Sequence, residues 1–285
     1  STSGNPNPGF NKGFIYCCVG EAAVKDMFAG TGKTHEAVVE QMKKTLKPIS
    51  FKLNTKCDIK AFGEFHPEGI GHNVVGILRG TDPTLAPEYI TLGGHLDHIG
   101  FQPYLCEGAT DNASGSVIVM GAAKNLATSG FKPKRTIIFS LFGGEETGLI
   151  GSKWMADHPI MPNENCKALL NIDCLSVGYG FSASVASKNN SLWEYMEKAA
   201  AKVDRPFMRR QGRDKIVTRP RTDEANFFLK GVPTVAPSAY GSTVRPPYHI
   251  PGDTMDYVNF DLVRDAVKWM TYSLMDLSTD SNLKV

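Results

Sequence analysis

No apolar run in this 285-residue sequence approaches the ~20 residues that a membrane-spanning helix needs. Charge of one sign is also missing: 31 Lys and Arg stand against 29 Asp and Glu, a net +2 with an isoelectric point near 8.1. The basic residues are scattered along the chain, which argues against a nucleic-acid face. Cysteine is sparse. Cys17, Cys18, Cys57, Cys106, Cys166 and Cys174 form no Cys-x-x-Cys pair, too few for a disulfide scaffold and uninformative about redox compartment. There is no internal repeat and no low-complexity tract. The chain opens on Ser1 and a polar Ser-Thr-Ser-Gly-Asn-Pro-Asn-Pro segment, with neither Met nor a charged-then-apolar leader, so a processed or partial chain is expected.

What is present is organised around Thr91-Leu92-Gly93-Gly94-His95-Leu96-Asp97-His98, an apolar strand ending in a histidine with a carboxylate two residues later. Side chains two apart on a strand share a face, so the Asp97 carboxylate is expected to hydrogen-bond one nitrogen of His95 and leave the other for a metal. Further along lie Asp111, the pair Glu145-Glu146, Asp173 and His249, each where an apolar run gives way to a turn. Nitrogen and carboxylate ligands in this mix suit zinc or a neighbouring divalent ion. Adjacent glutamates on extended backbone point to different sides, so one can bind metal while the other faces water.

Apolar periodicity predicts strands at Phe14–Val19, Asn73–Leu78, Tyr89–Gly94, Thr136–Phe142, Ala168–Ile172 and Val232–Ala236, with an edge strand or hairpin across Ile49–Ala61. Helices are predicted at Glu21–Ala29, His35–Leu46, Val117–Leu126, Leu149–Ala156, Leu192–Val203, Glu224–Leu229 and Leu262–Leu277. This alternation implies an α/β fold with a mostly parallel, mixed central sheet covered by helices on both faces. Such sheets place sites outside the carboxyl ends of their strands, where His95, Asp111, Glu145, Glu146 and Asp173 all fall. Gly30-Thr31-Gly32-Lys33-Thr34 is not a phosphate loop. Met27 stands where the first glycine is required, and a helix rather than a strand precedes it.

Taken in order, Gly-Gly-His-Leu-Asp, Thr110-Asp111-Asn112-Ala113-Ser114-Gly115, Gly143-Gly144-Glu145-Glu146-Thr147-Gly148, Asn171-Ile172-Asp173 and Tyr248-His249 resemble the co-catalytic zinc aminopeptidase family. That family includes secreted bacterial leucyl aminopeptidases, glutamate carboxypeptidase II, the transferrin receptor and glutaminyl cyclase. The resemblance covers roughly Pro48 to Leu277. It implies a zinc exopeptidase (phosphorylase/hydrolase-like) fold, two Zn2+ or one zinc with another divalent ion, a peptide substrate, and a secreted or periplasmic location. Carried over residue by residue, Asp111 bridges the ions, His95 and Asp173 complete one coordination sphere, and Glu146 and His249 complete the other. Glu145 is the general base acting on a bridging hydroxide, with Asp97 and Tyr240 as further catalytic residues, Tyr240 as an oxyanion donor. His98 reads as a loop histidine or a supporting neighbour, Asp253 as a partner of His249 or a turn residue, and Cys174 as a pocket-lining residue at best.

Hydrolysis at the amino end of a peptide is the leading expectation. A carboxypeptidase or dipeptidase of the same family is the alternative, with Arg209, Arg210, Arg213, Arg219, Arg221 and Arg245 as candidate carboxylate binders. A single-zinc glutaminyl-cyclase-like transferase and a metal-free receptor-like domain are less consistent with a full ligand set. Pocket walls are expected from Phe181–Ser187 and Arg205–Arg221. Residues 1–47 are expected to be the remnant of an inserted protease-associated-type domain or an extension, with residues 48–285 the catalytic domain. The resemblance also implies a cis peptide bond after the bridging aspartate, between Asp111 and Asn112.

Overall fold

The computed structural model describes residues 17, 19–60, 66, 68–101, 104–186, 191–209 and 220–285. The described residues fall into two compact units, divided after Gly69. In the first unit, α1 (Glu21–Phe28) and α2 (His35–Thr45) flank the Gly30–Thr34 turn, and neither helix contains a fully buried residue. Gly30 and Gly32 take φ of 71° and 69°, the left-handed values that let the chain leave one helix and turn into the next. Thr34 starts α2 by accepting a hydrogen bond from the Ala37 N–H. The strand or hairpin expected over Ile49–Ala61 does not form across residues 49–60, and Ala61 lies outside the described residues. Asn54 and Thr55 instead donate to the carbonyls of Gly30 and Asp26, which uses this stretch as a loop against α1. Of the strand expected at Phe14–Val19, residues 14–16 and 18 lie outside the described residues.

The second unit is built on a seven-stranded sheet. Its strands are β1 (Val74–Leu78), β2 (Tyr89–His95), β5 (Thr136–Phe142), β6 (Cys166–Asn171), β7 (Gly180–Ala186), β8 (Phe207–Arg209) and β9 (Thr234–Tyr240); β3 (Gly100–Phe101) and β4 (Leu105–Cys106) form a separate small hairpin. The order is β1-β5-β2-β6-β9-β7-β8, with β5, β2, β6 and β9 mutually parallel. β1 and β7 pair antiparallel with β5 and β9, and β8 runs parallel to β7, so the sheet is mixed, as expected. Every residue of β2 is buried, the signature of a strand covered on both faces.

Alternation along the strands splits the core in two. Ile90, Leu92, Ile137 and Leu170 pack with α3 (Ser114–Thr128), α5 (Ser191–Ala201) and α7 (Phe260–Thr279), where Phe181 stacks on Trp269 at 4.3 Å. Tyr89, Ile138, Phe142 and Leu169 face the other way, toward Met155 and Ala156 of α4 (Ile150–Asp157) and Phe227 of α6 (Glu224–Phe228). Each fully buried Leu or Ile of this kind contributes about 1.5–3 kcal/mol. The segment expected as a pocket wall at 181–187 is strand β7 up to Ala186, with Ser187 outside the described residues; its Ser184, Val185 and Ala186 do line a cavity, while Phe181 and Ala183 belong to the core. Phe181, Ala183 and Val185 alternate with Ser182 and Ser184, but Ser182 is buried too, so the burial of the strand's second face is not visible in the residues alone.

Candidate metal centre

Three adjacent parallel strands, β5, β2 and β6, end on one side of the sheet. His95 is the last residue of β2, Glu145-Glu146 follow β5, and Asp173 follows β6. Asp111 arrives on the segment Ala109–Ala113 that kinks into α3, and the Asp111–Asn112 peptide is cis, as the resemblance implied. His249 comes from the proline-rich loop between β9 and α7, with φ of +58°.

These residues converge around Asp111, whose two oxygens face two different histidines. Oδ1 lies 3.2 Å from His95 Nε2, and Oδ2 lies 3.2 Å from His249 Nε2. Asp173 Oδ1 stands 3.6 Å from the same His95 nitrogen, and Glu146 Oε2 stands 3.1 Å from the same His249 nitrogen. His95, Asp111 and Asp173 form one group of possible ligand atoms within 4.8 Å of one another; His95 with Glu145 and Glu146, and His98 with Asp111 and Glu146, form two more. All five sequence-predicted ligands are therefore together, with Glu145 beside them.

The glycines explain how close the backbones come. A Cβ on Gly94 would sit 2.9 Å from the carbonyl oxygen of Ile172, and one on Gly115 would sit 2.3 Å from Asn112 Oδ1. Asn112 uses that closeness to tie two ligand loops together. Its Nδ2 donates to the Ile172 carbonyl, and its Oδ1 accepts from the N–H groups of Gly115 and Cys174.

Asp97 acts differently from the expectation. His95 Nδ1 lies 3.0 Å from the main-chain carbonyl of Asp97, whereas the Asp97 carboxylate is 3.9 Å away, beyond hydrogen-bonding distance. The turn after His95 folds the carbonyl under the ring and frees the carboxylate. It then accepts from the N–H groups of Glu145 and Glu146, at 3.1 and 3.2 Å. Asp253 is likewise reassigned: it is fully buried and accepts from the Thr110 N–H, the Thr110 hydroxyl and the Asp111 N–H. It holds the loop that delivers Asp111. Its partners lie more than 140 positions away, so no local sequence signal marks it.

The described contacts of Tyr240 are with Tyr179, edge-on at 5.2 Å, and with Gly180. None of them joins it to the ligand carboxylates. Tyr248 does reach the centre. It stacks on His249 at 3.8 Å and lines a cavity of about 570 Å3 together with Asp173, Cys174, Arg221 and Glu224. A second cavity of about 630 Å3 shares Cys174 and Tyr248 and adds Arg245. Arg210, Arg213 and Arg219 lie outside the described residues, and Arg209 pairs with Glu197. A further residue that the sequence does not reveal is Asp223, fully buried next to this cluster, with neither oxygen hydrogen-bonded among the described residues. Burial pushes its carboxyl up to about 7.

The electrostatics fit a cation. Burial pushes Glu145 up to about 8, against the pull of His95 and reinforced by Asp223, Asp173 and Glu146. Burial and the neighbouring Asp111 also raise Glu146. Burial by itself would discharge His95, yet contacts with Asp111 and Asp173 outweigh it and hold the ring proton up to about 11. Asp111, in spite of its burial, is held below the usual carboxylate range by that same histidine. So many buried acids around one imidazole demand positive charge, and a divalent ion in place of the proton would satisfy the same atoms. Among the described residues His95 Nε2 is buried with no hydrogen-bond partner in good geometry, which fits a nitrogen that ligates an ion.

Residues 73–274 match the model of peptidase family M28, and the chain belongs to that family. It is 36% identical over 138 residues to a probable glutamate carboxypeptidase from Arabidopsis thaliana, an alignment covering 47% of this chain and 19% of the relative. It is 26% identical over 252 residues to an aminopeptidase from Bacillus subtilis (strain 168), covering 85% and 49%. Among solved structures, a zinc aminopeptidase from Bacillus subtilis superposes with a TM-score of 0.61 at 21% identity, covering 74% of this chain and 51% of that one. The gamma-secretase component Nicastrin gives the same score at 14% identity, covering 75% and 44%. These likenesses show the fold. The chain spans half or less of the length of the curated relatives it matches.

Proposed function

We propose that this chain carries the catalytic centre of a metal-dependent exopeptidase that removes residues from the amino end of peptides. The observation that carries the reading is Asp111, with one oxygen toward His95 and the other toward His249. Such a carboxylate is built to be shared. His95 and Asp173 would hold one divalent ion, Glu146 and His249 a second, and Asp111 both; nitrogen and carboxylate donors suit zinc. When bound there, the ions polarise the scissile carbonyl and make a water nucleophilic near neutral pH.

The protein's own groups supply the proton chemistry and the positioning. Glu145 lies among the ligands without being needed as one, and its raised affinity for protons suits a base that takes a proton from water and returns it to the leaving amine. Tyr248, on the cavity wall beside His249, is the phenol placed to donate a hydrogen bond to the developing oxyanion, a role that Tyr240 would fill only from outside its described contacts. A carboxypeptidase reading keeps one specific support: Arg221 and Arg245 each line one of the two cavities, where either could take a substrate carboxylate.

Profiling separates these. Hydrolysis of an aminoacyl amide, abolished by a chelator and restored by zinc, is the expected result. Full activity in metal-free protein would overturn the metal-dependent reading. Cleavage confined to N-blocked dipeptides would transfer the assignment to a carboxypeptidase.

A further inference from the structure

Once five ligands are assigned, one buried histidine of this centre is left over. The side chain of His98 is 9% exposed, and its Nδ1 lies 2.8 Å from Glu146 Oε1. That contact is its only described hydrogen bond, because its Nε2 is buried without a partner. The ring is not free to swing away. It packs against the loop leading to Asp111 so closely that a Cβ on Gly108 would meet His98 Cγ at 2.6 Å. On its other side the His249 ring stands edge-on at 5.7 Å.

Glu146 is thereby gripped at three points. The carboxylate of Asp97 accepts from its backbone N–H, His98 meets its Oε1, and His249 faces its Oε2. A carboxylate only accepts hydrogen bonds, so the proton in the Nδ1 contact belongs to His98. We propose that His98 is a positioning residue for the ion held by Glu146 and His249. By donating to Oε1 it turns the carboxylate so that Oε2 alone is offered to the ion. Two adjacent residues of one turn thus hold different parts of the same ligand, Asp97 the main chain of the glutamate pair and His98 the Glu146 side chain. The inference rests on the two-ion reading above, but concerns the affinity of one ion rather than the reaction.

The test is calorimetric titration of the chelator-stripped full chain with Zn2+ alone, for the wild type, His98→Ala and His98→Asn. Asparagine keeps an N–H close to the position of Nδ1, whereas alanine does not. The expected result is two ions in the wild type, with one of them bound about 10–100-fold more weakly by His98→Ala, the usual effect of removing a partner of a ligand. His98→Asn should recover most of that loss. Melting in chelator reads folding separately, and if His98→Ala fails to fold, the comparison of His98→Asn with His98→Gln, which places its N–H one bond farther out, carries the test. Two ions of unchanged affinity in His98→Ala would overturn the inference and leave the two-ion reading standing. Complete loss of one ion in both Ala and Asn variants would overturn it in favour of direct ligation. A single ion in the wild type would sink the two-ion reading; weakening of that ion by His98→Ala would still support the positioning role, and no weakening would overturn both.

Discussion

The two halves of the centre are held by different means. His95 and Asp173 extend from the ends of interior strands, and the His95 side chain is 1% exposed. Backbone pairing positions them, with the Ser116 hydroxyl bonded to the His95 carbonyl at 2.8 Å. His249 sits 34% exposed on a loop among Pro246, Pro247 and Pro251, and Glu146 sits in a turn past β5. No sheet reaches them. Side-chain carboxylates do the holding instead: the partly exposed Asp97 on the glutamate turn, and the buried Asp253 joining the loop just after His249 to the one carrying Asp111. A strand-borne ligand is preorganised by the fold as a whole, whereas a loop-borne ligand depends on a few side-chain carboxylates. Substitutions that touch no ligand should therefore disturb the second half far more than the first.

The largest expected effect tests where that second half ends. Glu145 shares the clamped turn with Glu146 but holds no ion in this reading. Glu145→Gln should retain both ions and lose about 10²–10⁴ in kcat, the usual contribution of a general base. Metal analysis alongside steady-state kinetics checks it. If an ion is lost instead, the roles of the two glutamates are exchanged and the loop-borne half has to be redrawn around Glu145.

A smaller effect, on stability, breaks the clamp itself. Asp253→Ala leaves two backbone N–H groups and one hydroxyl without their acceptor, and each buried orphan costs about 1–3 kcal/mol, less where water can enter. We expect roughly 3 kcal/mol in urea unfolding of the metal-free chain, with Asp253→Asn losing about half of that because its amide oxygen still accepts. Carrying out the unfolding in chelator keeps ion binding out of the measurement. A loss below about 1 kcal/mol would mean that the Asp111 loop is held by the Asn112 hydrogen bonds and not by Asp253.

The strand-borne half is legible in the sequence because it follows from periodicity: an apolar run that ends in His95 or Asn171 must deliver the next polar residues to the strand's carboxyl end. Of the loop-borne ligands, Glu146 is legible in the same way from the run ending in Phe142, whereas His249 is legible only through the resemblance, since nothing local separates it from an ordinary proline-rich turn. The holding groups are not legible. Asp253 acts on residues far away in the chain, and the Asp97 carboxylate passes over the adjacent histidine for backbone N–H groups 48 and 49 positions on. Strand alternation would put residues 95 and 97 on one face, but β2 ends at His95, so the rule does not reach Asp97. Tyr248 stays hidden for a similar reason, as the loop geometry that stacks it on His249 has no period to read. β7 escapes because serine and alanine fill it.

The smallest expected effect is the sharpest for the comparison, since Asp97 touches both halves through different atoms. Its main-chain carbonyl receives the Nδ1 proton of His95, leaving Nε2 as the ligand nitrogen, while its carboxylate holds the glutamate turn. Asp97→Asn keeps the carbonyl and keeps one side-chain oxygen, so a single N–H of the Glu145-Glu146 turn loses its acceptor. The cost should be about 1 kcal/mol, equivalent to roughly fivefold weaker binding of the ion assigned to Glu146 and His249. The ion assigned to His95 and Asp173 should bind as in the wild type, because the tautomer of His95 is set by the backbone. Zinc titration of the variant distinguishes the two. Equal weakening of both ions would show that the Asp97 carboxylate also orients His95, and the division between a half held by the sheet and a half held by side chains would then fail at the residue where the two meet.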